Sequence, residues 1–176
     1  MKRLLLLLLP LALVAFLSLA QTAPKQPPVK EGPLRILFLG HDQEHHNSNE
    51  YFPMISEALG REAIYFDYHT DVEEALGDYG YLSRFDGVLL YANHETITPK
   101  QFSNLTRFVE GGGGFIPVHC ASACFNNEPA FVKLVGGKFA HHQGKDFTTT
   151  IIKPGHPAMK NVKEFTAWDE TYVHSD

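Results

Sequence analysis

Ile36-Leu37-Phe38-Leu39-Gly40-His41-Asp42-Gln43-Glu44-His45-His46 is the stretch that decides the fold. A brief apolar run closed by glycine passes straight into histidines and carboxylates. The run is too short for a helix and suits a strand buried on both faces. The pattern recurs twice: Val88-Leu89-Leu90-Tyr91 leads into Asn93-His94-Glu95, and Phe115-Ile116-Pro117-Val118 leads into His119-Cys120. Three strands that each end in titratable residues predict parallel neighbours whose C-terminal ends open on one sheet edge, where open α/β folds bind ligands.

The intervening segments supply the crossovers. Residues 51–59 place Phe52, Ile55 and Leu59 on one helical stripe, with Ser48 or Asn49 to cap its start and Gly60 to end it. A second strand is expected at 64–68 and the third at 87–91, with only a weak helical signal over 71–81. Thr98 caps the next helix, Pro99 takes its first turn, and Phe102, Leu105, Phe108 and Val109 form its buried stripe. Gly111 to Gly114 follows a helix and precedes a strand, the reverse of a phosphate-cradling loop, so it reads as a C-cap and tight turn. The fourth strand is expected at 115–118, a helix at 128–135, and later strands at 148–152 and 165–173. This alternation predicts an α/β domain with a mostly parallel, doubly wound sheet ordered 2-1-3-4, which sets the loops at His41 and His94 facing each other.

Residues 1–20 read as an export signal: Lys2 and Arg3 precede an apolar run, Pro10 interrupts it, and Ser18-Leu19-Ala20 offers small residues for cleavage. Residues 21–33, rich in proline, are expected to form a linker to a domain at 34–176. The last residues end without a terminal helix, and the domain is expected to be C-terminally incomplete. The mature chain is expected to be secreted or periplasmic, with no stable membrane span after cleavage. Its net charge, −5 before Lys2 and Arg3 are removed, argues against nucleic acid as a partner. With only Cys120 and Cys124 present, packing must hold the fold, and the two thiols are either free or bridged.

Histidine binds metals readily and changes charge near neutral pH, so its clustering with carboxylates suits a divalent metal or acid/base work on a polar substrate. The candidates are His41, His45, His46, His94, His119, His141 and His142, with Asp42, Glu44 and Glu95. Their spacing matches no defined zinc signature. Cys120 follows a strand and opens a turn, as the nucleophile of a strand-to-helix elbow does, although Val118 and Ser122 stand where such elbows carry glycine. Trp168 and Tyr172 alternate at strand spacing around Glu170, which suits core packing or a sugar-stacking platform equally.

Several of these segments, in this order, resemble the ThuA-like (trehalose utilisation) family of the class I glutamine amidotransferase-like superfamily. They are Leu37-Phe38-Leu39-Gly40-His41-Asp42, Phe85-Asp86-Gly87-Val88, Phe108-Val109-Glu110 with the glycine run and Val118-His119, Gly136-Gly137-Lys138-Phe139, His156-Pro157, and Trp168-Asp169-Glu170-Thr171-Tyr172. The resemblance spans 34–176 and implies a flavodoxin-like three-layer sandwich and a link to carbohydrate metabolism. On this reading the chain acts on, or binds, a small-molecule carbohydrate or derivative in a His-rich crevice, as a carbohydrate-modifying enzyme working by metal assistance or acid/base chemistry. His41, Glu95, His119 and Cys120 are the expected catalytic residues. Asn93, His94, His141 and His142 are expected to bind substrate, and His41, His45 and His119 to hold a divalent metal such as zinc. The competing readings are a cysteine-dependent, amidotransferase-like hydrolase using Cys120 and a non-catalytic sugar-binding domain of a larger secreted protein.

Overall fold

A computed structural model describes residues 31–175; the expected signal peptide and most of the expected linker lie outside them. Four parallel strands, β1 (Leu34–Leu39), β2 (Ile64–His69), β3 (Gly87–Leu90) and β4 (Gly114–Pro117), form one sheet in the order β2-β1-β3-β4. Their register aligns Leu39 with His69 on one side and Leu90 on the other, and Leu90 with Pro117, so the three expected site-bearing loops leave one edge together.

The sheet is covered on both faces because β1 is apolar on both. Phe38 is fully buried, with its ring edge-on to Phe52 of α1 (Ser48–Gly60) and to Phe66 and Tyr68 of β2. Leu37 and Leu39 point the other way, into a core with Ala75 and Leu76 of α2 (Val72–Leu76), Leu82 of α3 (Tyr79–Leu82), and Leu105 and Phe108 of α4 (Pro99–Glu110). Burying each such side chain stabilises the fold by about 1.5–3 kcal/mol. The weak helical signal at 71–81 resolves into two short helices, each started by an aspartate, Asp71 and Asp78, whose carboxylate accepts from first-turn amides. At α4 the Thr98 side chain and Gln101 form a reciprocal cap with Pro99 in the first turn. The glycine run makes the tight turn expected of it: Gly112 has φ +96°, and a Cβ at Gly113 would meet the Phe108 ring at 2.3 Å.

After β4 the chain makes a 3-10 turn (His119–Ala123) and α5 (Pro129–Val135). It then departs from the expected pattern. A long strand, β5 (Lys138–Thr148), pairs antiparallel with β6 (Thr166–Ser175) as a separate two-stranded ribbon. No strand spans 148–152. Thr149 still bonds Phe165, but the ladder ends at Thr148. β5 escaped detection because Lys138 to Lys145 is polar and largely exposed, with no apolar alternation to mark it.

Gly40, where β1 ends, is pressed from two sides: a Cβ there would stand 2.2 Å from Ser48 Oγ and 2.7 Å from the Tyr68 ring. Gly40→Ala is therefore expected to destabilise the protein by about 1–3 kcal/mol, read as a lower denaturant midpoint. An unchanged midpoint would show that this contact does not fix the strand's exit.

Candidate functional site

The loop after β1 turns back on itself through one serine. Ser48 Oγ accepts from the His41 amide at 2.8 Å, donates to the His41 carbonyl at 2.9 Å, and lies 2.8 Å from Tyr68 Oη. Ser48 is fully buried in this role, and the capping of α1 falls to Asn47, whose side chain accepts from the Asn49 amide. His41 is itself buried, and backbone groups take both of its ring nitrogens. Nδ1 accepts from the Asn93 amide at 3.1 Å, which leaves Nε2 to donate to the His46 carbonyl at 2.8 Å. The imidazole thus ties the loop after β1 to the loop after β3 and holds the backbone of His46. His94 is placed similarly: its Nε2 donates to the Gly40 carbonyl at 2.9 Å, and its ring stacks on Phe125.

His46, rather than the exposed His45, is the member of that loop turned into the site. Its ring lies 4.6 Å from that of His119, and each Nε2 stands 3.7 Å from Glu170 Oε2. Ligand atoms of His46, His119 and Glu170 all fall within 4.8 Å of one another. A third imidazole, His142 of β5, reaches Glu170 Oε1 at 3.5 Å, and Asp169 Oδ1 lies 4.0 Å from His119 Nε2. Tyr172 packs edge-on to His119 at 4.6 Å, and Tyr91 is stacked with it at 6.3 Å. Val118, His119, Ser122, Glu170, Tyr172 and His174 line an adjoining cavity of about 570 Å³.

Both facing histidines have left-handed backbone, φ 57° at His46 and φ 51° at His119, a conformation that costs a non-glycine residue of this kind about 1 kcal/mol or more. The bend after β4 is therefore a strained elbow as expected, but His119 occupies its apex. Cys120 turns inward, 1 % exposed, and burial pushes its thiol up to about 12, where almost no thiolate forms near neutral pH. Cys124 is also buried, with its thiol donating to the Ala92 carbonyl at 2.9 Å, and the two cysteines are free rather than bridged.

Burial, followed by the neighbouring His119, lowers the pKa of His46, while Glu170 opposes the shift; the imidazole is thereby kept neutral. Burial and adjacent acidic groups push Tyr91 up to about 12 and raise Tyr172 further, so both phenols keep their protons. Glu170 Oε2 is buried and has no hydrogen-bond partner.

The structure therefore gathers His119 and His142 of the expected residues, with His41 and His94 behind them and the Asn93 amide on His41. It does not bring Glu95 or His141 to them. Glu95 is exposed and lines a different cavity with Asp71, Glu73 and Gln101. His141 is exposed on β5, next to His142 and hence on the opposite face. Glu170, the centre of the cluster, was not among the expected site residues. The signal for it was the i, i+2, i+4 spacing of Trp168, Glu170 and Tyr172, which puts the carboxylate on the same strand face as the aromatics rather than between two faces.

Such a parallel sheet, with a polar crevice at the C-terminal ends of its strands, defines a flavodoxin-like α/β protein. The ThuA model, described as trehalose utilisation, matches residues 35–176, and the chain belongs to that family. Two crystallised proteins described as ThuA-like share the fold. One, from Bacteroides uniformis, is 21 % identical with a TM-score of 0.69, the match covering 87 % of this chain and 65 % of that one. The other, from Parabacteroides merdae, is 17 % identical with a TM-score of 0.65, covering 80 % and 62 %. The chain thus spans a little under two-thirds of the length of each. No curated protein matches it. Among the described residues, no helix is long and apolar enough to cross a membrane.

The lowered pKa values of His46 and His94 fix a pH dependence. Unfolded imidazoles, at their ordinary 6.5, take up protons that the folded ones resist, so stability is full above that pH and falls as pH drops below it. The melting temperature of metal-free protein is expected to decline between pH 6.5 and about 5, less steeply in His94→Gln. Equal slopes in the two proteins would remove His94 from this account.

Proposed function

We propose that His46, His119 and Glu170 hold a divalent cation, most naturally zinc, and that the site acts on a carbohydrate-derived small molecule. The observation that carries this reading is the buried Glu170 oxygen that faces two imidazoles at 3.7 Å, too far for a hydrogen bond to either. A buried carboxylate oxygen left without a partner is costly, and a cation between the three groups would satisfy it. Two histidines and one carboxylate form a common catalytic zinc set that leaves positions open for substrate. The donors of a tetrahedral zinc site stand about 3.3–3.5 Å apart, so the 3.7 Å His-to-Glu separations need only a small contraction. His46, kept neutral, is already in the form that ligates.

When bound, the ion supplies Lewis acidity toward a carbonyl or hydroxyl of the substrate. The chain's own groups do the rest. His41 acts behind this set by fixing the backbone of His46. His142, at the open side of Glu170, is placed to exchange a proton with substrate. Tyr91 and Tyr172, held protonated, can donate hydrogen bonds to its oxygens. Membership in a trehalose-utilisation family supports a sugar or sugar derivative as the substrate class. The reading of residues 1–20 as a signal supports action outside the cytoplasm. The burial and high pKa of Cys120 weigh against a thiol nucleophile.

Elemental analysis after zinc loading and dialysis tests the centre. Wild type is expected to retain one equivalent, His46→Ala, His119→Ala and Glu170→Gln to lose it, and Cys120→Ser to keep it. Wild type that retains no zinc, or triad variants that retain it fully, would overturn the assignment.

A further inference from the structure

The chain's single tryptophan is unusually exposed. Trp168 lies on β6 with 67 % of its surface open, although a buried position is the usual fate of an indole. It is two residues before Glu170, hence on the same strand face and about 7 Å along it. Its cross-strand partner is Asp146, and the next rungs on that face pair Gly144 with Glu170 and His142 with Tyr172. The indole leans along the ribbon toward that row: a Cβ on Gly144 would meet Trp168 Cζ2 at 2.7 Å and Cη2 at 3.2 Å. Gly144 is thus a shelf whose missing side chain lets the six-membered ring lie beside the Glu170 rung. The next residue on this face with a comparable ring, Tyr172, adjoins His119.

From this arrangement we infer that Trp168 is the stacking platform for a neutral pyranose ring, forming the subsite next to the His46–His119–Glu170 centre. The inference deepens the proposed function and rests on its reading of the substrate as a carbohydrate. The face of an indole is the negative pole of its quadrupole, and one face of a pyranose presents a patch of C–H hydrogens that meets it. The apolar ring gains by covering this exposed surface, while the sugar hydroxyls stay at the rim. A hexose on the shelf spans the gap to Glu170, so its reacting end reaches the histidines. Asp146, the cross-strand partner of Trp168, disfavours uronates and sugar phosphates at the shelf, which favours uncharged rings.

Because no other tryptophan is present, fluorescence reports on this position alone. Zinc-loaded protein is titrated with trehalose and methyl glucopyranosides, and separately with glucuronate and glucose 6-phosphate. A saturable change in indole emission is expected with the neutral sugars and not with the anions. By calorimetry, Trp168→Ala is expected to weaken binding by about tenfold or more, and Trp168→Phe by no more than about threefold. Gly144→Val, which displaces the ring, is expected to weaken it as Trp168→Ala does. Zinc content should be unchanged in all three, which separates this claim from the metal assignment. The inference fails if no neutral sugar gives a saturable response, if Trp168→Ala binds as tightly as wild type, or if emission shifts with protein concentration instead of sugar, marking the indole as a contact between copies.

Discussion

The burial of β1 on both faces is the constraint on which the molecule is built. Alternate side chains of this strand enter two separate packed layers, Phe38 among the aromatic rings of α1 and β2, Leu37 and Leu39 among α2, α3 and α4. Helices must therefore lie on both sides, which requires parallel neighbours joined by crossovers. Once β2 and β3 flank β1 in parallel, their loops emerge at one edge. The close approach of Ser48 and Tyr68 at Gly40 then fixes where the first loop leaves, and His41 passes that position on to His46. Packing, loop geometry and the placement of an imidazole form one chain of dependence.

Electrostatics decides which groups at that edge can act. Glu170 is surrounded by His46, His119 and His142, which come from two loops and a ribbon strand. Desolvation favours the neutral form of each weakly accessible group: the His46 imidazole loses its proton readily, while the phenols of Tyr91 and Tyr172 and the thiol of Cys120 retain theirs. Burial thus acts oppositely on the two kinds of group, favouring a neutral His46 imidazole and a protonated Cys120 thiol. His119 and Cys120, adjacent in sequence, differ in placement: the imidazole faces Glu170, and the thiol is buried.

The sheet was legible because its strands are buried on both faces and leave continuous apolar runs bounded by glycine. The alternation implied parallel pairing, and the order 2-1-3-4 is that of a doubly wound sheet. The ribbon was not legible, since β5 is solvated along most of its length and its pairing depends on β6, which is distant in sequence. Half of the site went with it. Histidines at strand ends could be flagged from position. Nothing local distinguishes His46 from His45, because the choice depends on the left-handed turn and the His41 hydrogen bond. Glu170 was hidden between two aromatics that already had a sufficient explanation in packing. After β4 the left-handed residue of the turn is His119, and Cys120, one position on, is buried.

The two histidines at φ 57° and φ 51° place the needs of the fold and of the site in opposition. Glycine at either position would relax the backbone, and asparagine would tolerate it better than imidazole does. Ala63 and Phe125 share this backbone conformation, but at His46 and His119 the strain is carried by the two side chains that meet across the crevice, so relaxing either turn would trade that meeting for stability.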